Sequence, residues 1–333
     1  MANRDRAERA ESKDRLLAVD RWKQAARRHK SGYYELQTED TRAVPVRLFL
    51  TPTLLQEAED TLYRQIVNAT RFPGTKLVVI TPDVHYGYGV PVGCVILTDA
   101  RDGAVAMGPV GFDIGCGMVS ARSDVPAEAA TQEQRRAFNA AVMERVEMGA
   151  GGGSRRLPHV DKRLFNELVR GGADFYVDRF GSSLDRSRAE RQRIPVDDDW
   201  DIPMGGKGRP ERGMGQLGSL GGGNHFIELQ RGQETGTLFV QVHTGSRGFG
   251  HGLATNYFEL ASAERKTALR DIDLGFFLPD SRHYRAYLNA VAAGGNFAIL
   301  NRLIIFEEIA AAFKKVFHAE LELVYEISHN LVQ

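Results

Sequence analysis

Cysteine is nearly missing from this sequence: Cys94 and Cys116 are the only two in 333 residues. That is too few to staple a chain of this length, so a disulfide framework is excluded and a reducing, cytoplasmic setting is expected. Net charge is missing too. Forty-three Lys and Arg balance 43 Asp and Glu, so no global field advertises nucleic acid or an anionic membrane, and any basic surface has to be local. No apolar run approaches the roughly 18 residues of a bilayer-spanning helix, and the charged opening Met1-Ala2-Asn3-Arg4-Asp5-Arg6 does not suit a signal peptide. What remains is an expectation of a soluble globular protein. Its 42% hydrophobic content can bury a large core, and its 35 glycines fall in clusters without a collagen-like period, marking loops.

Residues 1 to 30 carry ten Lys and Arg against five Asp and Glu, with Leu16, Leu17, Val19, Trp22, Ala25 and Ala26 on one loose helical face. Residues 1–45 therefore read as a basic N-terminal extension docked by Trp22. Thr51-Pro52-Thr53 offers a helix start for a segment running through Val67, because Pro suits the first helical turn. Leu77 to Ile80 is a buried-strand pattern. Helical patterns follow over 131–148, 162–170 and 172–180, then a long surface excursion of mixed charge over 181–217. Strands are expected at Phe226–Leu229, Thr237–Val242 and Leu321–Ile327, with a long helical stretch over 282–320 bearing an apolar stripe. The fold class is α+β: mixed sheets with surrounding helices in one large domain over 46–333.

The chemistry collects where strands end. Gly218-Ser219-Leu220-Gly221-Gly222-Gly223-Asn224-His225-Phe226-Ile227-Glu228 runs a flexible backbone straight into Asn, His and Glu, although a tight turn before a strand has the same composition. Gly111-Phe112-Asp113-Ile114-Gly115-Cys116-Gly117 puts a carboxylate and a thiol on one tight loop, a credible pair of metal ligands, whereas Cys94 sits inside an apolar run and reads as core. His243 lies 18 residues beyond His225, the length of a strand-loop-strand unit that brings two imidazoles to one sheet end. His329 stands at the end of the last strand. Thiolate and imidazole suggest zinc by default, but a carboxylate, a thiolate and three histidines can serve two ions if the thiolate bridges, and the residues alone leave the metal open.

Five motifs in order carry a resemblance. Pro82-Asp83-Val84-His85 with Gly87 and Gly89, then Gly111 to Gly117, Gly221-Gly222-Gly223-Asn224-His225-Phe226, His243-Thr244-Gly245-Ser246-Arg247-Gly248 and Ser328-His329-Asn330 resemble the successive motifs of the RtcB family of tRNA-splicing RNA ligases. Tyr287 to Arg302 is similar to that family's central helix. The resemblance implies a GTP-dependent enzyme with two manganese ions (Mn2+). Such an enzyme joins an RNA 3′-phosphate or 2′,3′-cyclic phosphate to a 5′-hydroxyl through a histidine-guanylate, in splicing of tRNA halves or repair of broken RNA. It further implies that Asp113, Cys116, His225, His243 and His329 are metal ligands with Cys116 bridging. Asn224, His225, Phe226, Ile227, Glu228, His329 and Asn330 would form part of the guanylate pocket. The family's guanylate-accepting histidine falls C-terminal of the Ser-His-Asn motif. It is expected beyond Gln333, in a C-terminally truncated copy; neither His85 nor His251 occupies the matching motif. A metal-dependent phosphoesterase and a non-catalytic RNA-binding paralogue are the competing readings.

Overall fold

The computed structural model describes residues 16–149, 151, 153, 156–157, 159–182, 184–185, 192–264 and 272–332. Residues 1–15 of the basic extension and 186–191 of the long excursion lie outside the described residues. The chain is α+β, as its pattern indicates, and divides into two compact units, 1–109 with 261–284 and 110–260 with 285–333.

The first unit is built on a five-stranded sheet in the order β1 (Arg27–Arg28), β2 (Tyr34–Leu36), β3 (Val46–Leu48), β4 (Thr75–His85) and β5 (Val92–Thr98). Only β3 and β4 pair in parallel, Val46 opposite Val78 and Leu48 opposite Ile80. A parallel pair needs a crossover, which α2 (Pro52–Glu57) and α3 (Leu62–Ala69) supply. Thr51 caps α2, its hydroxyl accepting from the Leu54 amide at 3.1 Å. The single helix expected through Val67 is two, because Ala58 takes an extended ψ of 136°; no Gly or Pro marks that break. Alternate residues of β3 and β4 bury with Tyr63, Ile66 and Val67 of α3 and with Trp22 of α1 (Trp22–Ala25). Cys94 on β5 is only partly buried against this core, yet burial pushes its thiol up to about 12. A short ribbon pairs β6 (Val105–Ala106) with β10 (Phe276–Phe277).

The second unit is organised by a four-stranded antiparallel sheet, β11 (Glu322–Ser328), β7 (Gly117–Pro126), β9 (Thr237–Thr244) and β8 (Phe226–Arg231) in that order. One face packs on α4 (Gln132–Arg145) and α7 (Tyr284–Phe317), burying Val119, Val240 and Val242 with Phe138, Ile305, Ile309 and Phe313. α7 is long and apolar enough to cross a bilayer, but 94% of its most apolar window is buried, which marks a central core helix. Its apolar pattern is thus no narrow stripe; most of its sides are covered. The two helical patterns around Gly172 form one element, α5 (Lys162–Phe180), kinked where that glycine takes φ 61°. The segment 192–217 is less of a surface excursion than its composition suggests. Asn289 and Asn296 of α7 accept the Asp197 and Ile194 amides at 2.7 and 2.8 Å, and Leu217 is fully buried. α6 (Arg247–Glu264), which no sequence pattern signalled, follows β9 directly.

Candidate metal centre

Antiparallel register brings the motif residues together. Met118 of β7 lies opposite His243 of β9, His243 opposite Phe226 of β8, and Ile327 of β11 opposite Met118. Three strand ends and the loops joined to them therefore meet at one place. The loop before β7 turns tightly, with the Cys116 amide donating to the Asp113 carbonyl at 3.0 Å, so both side chains face the same space. The His329 amide donates to the Cys116 carbonyl at 2.8 Å and the Gly115 amide to the Asn330 carbonyl at 2.8 Å, which fastens the end of β11 to that loop.

Five side chains converge in two overlapping groups. Asp113, Cys116 and His225 form one and Cys116, His243 and His329 the other, the donor atoms of each group lying within 4.8 Å of one another. Cys116 belongs to both. Its Sγ is 3.2 Å from His243 Nε2 and 3.7 Å from His225 Nε2. His225 Nε2 lies 2.9 Å from Asp113 Oδ2, and His243 Nε2 lies 3.4 Å from His329 Nε2.

The backbone sets the direction of two imidazoles. His225 Nδ1 sits 2.9 Å from the Leu220 carbonyl and His243 Nδ1 3.0 Å from the Asn224 carbonyl. A carbonyl can only accept, so each Nδ1 carries a proton and each ring turns its Nε2 inward. Three inward-turned ring nitrogens, a carboxylate and a sulfur around shared points are the donor atoms a metal ion takes once the nitrogens facing it are unprotonated. The donor set fits divalent ions on that ground, and its mixed carboxylate, imidazole and thiol character suits a first-row transition metal.

Electrostatics follow from burial. Burial pushes the Cys116 thiol far up, and the adjacent Asp113 charge and hydrogen bond push the same way, while Arg302 opposes them. Burial also pushes the Asp113 carboxyl up, but the His225 hydrogen bond and charge, with others from Cys116 and the Ser246 amide, outweigh it and hold the group below the ordinary range. The Ser246 amide donates to Asp113 Oδ1 at 2.9 Å. Gly245 permits that approach, since a Cβ there would stand 2.2 Å from the carboxylate. Desolvation lowers the His243 imidazole.

Two residues of α7 hold the strand ends in place. Arg302, fully buried, pairs with the buried Glu326 of β11. It also donates to the Gly115 carbonyl at 2.6 Å, the Thr244 carbonyl at 3.0 Å and Ser328 Oγ at 2.6 Å, thereby tying the ends of β9 and β11 to the Asp113–Cys116 loop. Asn301 accepts from the Gly218 amide at 2.6 Å and donates to the Ser219 and Gly245 carbonyls at 3.0 and 3.1 Å, pinning the Gly-rich loop. Sequence reading assigned neither residue a part in the site. The usable signal was a cation and an amide inside an apolar helix, where each has to find partners.

The expected guanylate residues are less convergent. Asn224, Phe226 and Glu228 are exposed, and Glu228 accepts from Gln230 at 2.7 Å. Ile227 points to the opposite face and packs against the core. Asn330 donates to the Asp113 carbonyl at 3.2 Å, a bond that also holds the Asp113–Cys116 loop. Asp83 and His85 end β4 in the first unit, both exposed.

Comparison with known proteins shows the family. A family model described as tRNA-splicing ligase RtcB matches residues 65–333. "RNA-splicing ligase RtcB" of Mycobacterium bovis is 36% identical over 293 residues, covering 81% of this chain and 66% of that protein. "tRNA-splicing ligase RtcB" of Pyrobaculum aerophilum is 32% identical over 324 residues, covering 87% of this chain and 64% of that protein. "tRNA-splicing ligase RtcB" of Nanoarchaeum equitans is 31% identical over 322 residues, with 90% and 66% covered. The chain thus spans slightly under two thirds of the length of these relatives.

Proposed function

Since the chain belongs to the RtcB family, we propose that it is an RNA ligase of the cytoplasm. On this reading it joins RNA 3′-phosphate or 2′,3′-cyclic phosphate ends to 5′-hydroxyl ends, with GTP as energy source, two manganese ions as cofactors and a histidine-guanylate as intermediate. The observation that carries the reading is one buried thiol shared by two donor groups. Asp113 and His225 would hold one ion, His243 and His329 the other, and Cys116 both. Two ions held there would supply Lewis-acid stabilisation to phosphoryl oxygens.

The chain's own residues do the positioning. The Leu220 and Asn224 carbonyls fix two imidazole tautomers, the Ser246 amide aims Asp113, and Arg302 keeps the strand ends in register. The exposed Phe226 and Glu228 stand on β8 beside His243, with the exposed Asn224 on the loop just before it, positions from which they can contact a nucleotide. RNA substrates are tRNA halves or broken RNA. The test is an RNA-joining assay, run on a protein that carries the guanylate-accepting histidine expected C-terminal of Ser328-His329-Asn330, with a 2′,3′-cyclic-phosphate end, a 5′-hydroxyl acceptor, GTP and manganese. Joined product is the expected result, and product only with ATP and a 5′-phosphate acceptor contradicts the proposal.

A further inference from the structure

Two aromatic rings in the first unit serve no part of its core. Tyr86 and Tyr88 are 59% and 62% exposed, and among the exposed large apolar side chains of the described residues only Leu17 is more open. They stand on the loop between β4 and β5, beside the exposed His85. The loop itself is held firmly. The buried Gln65 amide of α3 grips Gly87 from both sides, donating to its carbonyl at 2.6 Å and accepting from its amide at 3.0 Å. Asn68 of α3 donates to the Gly89 carbonyl at 2.8 Å. Between the two rings Gly87 is required, since a Cβ there would stand 2.5 Å from the Val90 carbonyl oxygen. Val90, 2% exposed, plugs the loop into the core.

A buried amide clamp and an apolar plug thus hold a loop whose tip displays two tyrosines to solvent. Exposed rings add little to folding. Rings on a pre-ordered backbone lose little conformational freedom on binding, and every base offers a π-face, so the feature fits unpaired bases regardless of sequence. α3 also presents Arg64 to solvent immediately before Gln65, and His85 stands beside Tyr86. Exposed rings beside a histidine, on a loop clamped by a helix that also exposes an arginine, suit a nucleic-acid strand better than a protein hot spot, which needs an apolar surround to exclude water.

We infer that Tyr86 and Tyr88 form a stacking platform for the unpaired bases of single-stranded RNA. This rests on the RNA-ligase reading, and it names side chains that the metal centre does not use.

The experiment is fluorescence anisotropy with a labelled single-stranded RNA oligonucleotide and with a duplex of equal length. The proteins are wild type, Y86A, Y88A, Y86A/Y88A and Y86F/Y88F, each checked by thermal melting. Each single alanine should weaken single-strand affinity by about tenfold and the double variant more, while the phenylalanine pair stays within about twofold. Duplex affinity and the salt dependence should not move, because no phosphate contact is lost. A double alanine variant that binds the single strand like wild type, while wild type binds RNA and joins ends, overturns the platform and leaves the ligase reading intact. Wild type that binds no RNA overturns both. A change in sedimentation mass of the double variant with unchanged RNA affinity marks a protein-docking surface instead, and likewise overturns the platform.

Discussion

β4 of the first unit and β7, β9 and β11 of the second end in the same kind of sequence, carboxylates and imidazoles beside glycine, with different results. Asp83 and His85 finish β4 exposed, the His85 ring lying 3.1 Å from the Tyr86 carbonyl. In the second unit the register of three antiparallel strands sets His243 and His329 on Cys116, and the Gly-rich loop adds His225. Below them lies the buried guanidinium of Arg302. A polar residue at a strand end becomes a centre only where neighbouring ends coincide and a buried group fixes the coincidence.

The largest test of that contrast is to remove the fixing group. Replacing Arg302 by Ala strands the buried Glu326 carboxylate and frees three acceptors, so denaturant unfolding should show a loss of about 3–5 kcal/mol. A loss below about 1 kcal/mol would mean that the strand ends hold themselves.

The first unit has a smaller buried-acid device. Asp40 accepts from the Leu17 and Ala18 amides at 3.0 and 2.9 Å and from the Tyr63 hydroxyl at 2.7 Å. Burial pushes its carboxyl up, but these bonds and Arg71 outweigh it and hold the group below the ordinary carboxylate range. A carboxyl depressed by folding stabilises above its unfolded-state value near 4 and loses that contribution as pH falls through the folded value. Asp40→Asn should therefore cost about 1–3 kcal/mol at neutral pH. The gap from wild type should close under acid, as pH falls from the unfolded-state value near 4 through the depressed folded value. Parallel unfolding curves for the two proteins across that range would remove Asp40 from the account.

A cap comes next. Thr51→Ala removes the acceptor for the Leu54 amide and should cost about 1 kcal/mol by thermal melting. The smallest effect belongs to β4's own end. His85→Ala should leave stability within about 0.5 kcal/mol and manganese uptake unchanged, and a fall in uptake would show that the first unit feeds the metal site.

The α+β class, the strands at 226, 237 and 321 and the β8–β9 hairpin were legible because alternation and Gly-rich boundaries are local signals. So were the five converging residues, four of them at strand ends beside glycine or a small polar group and Asp113 on the loop before β7. Ile227 was not sorted from Phe226 and Glu228, although alternation along β8 sends it to the other face. Arg302 and Asn301 were hidden because their partners lie 24 to 187 and 56 to 83 residues away in sequence. The break at Ala58 had no residue to announce it. The start of α6 was equally silent, for Arg247 opens it at φ 53°, a conformation its residue type does not advertise.

The central claim is that a single sulfur serves two ions. Manganese titration followed by electron paramagnetic resonance, on wild type, His225→Ala, His329→Ala and Cys116→Ala, tests it directly. Wild type should take up two ions per chain, each histidine variant one, and the cysteine variant neither at the concentrations that saturate wild type. A Cys116→Ala protein that still binds two ions with wild-type affinity would contradict the shared-thiol centre.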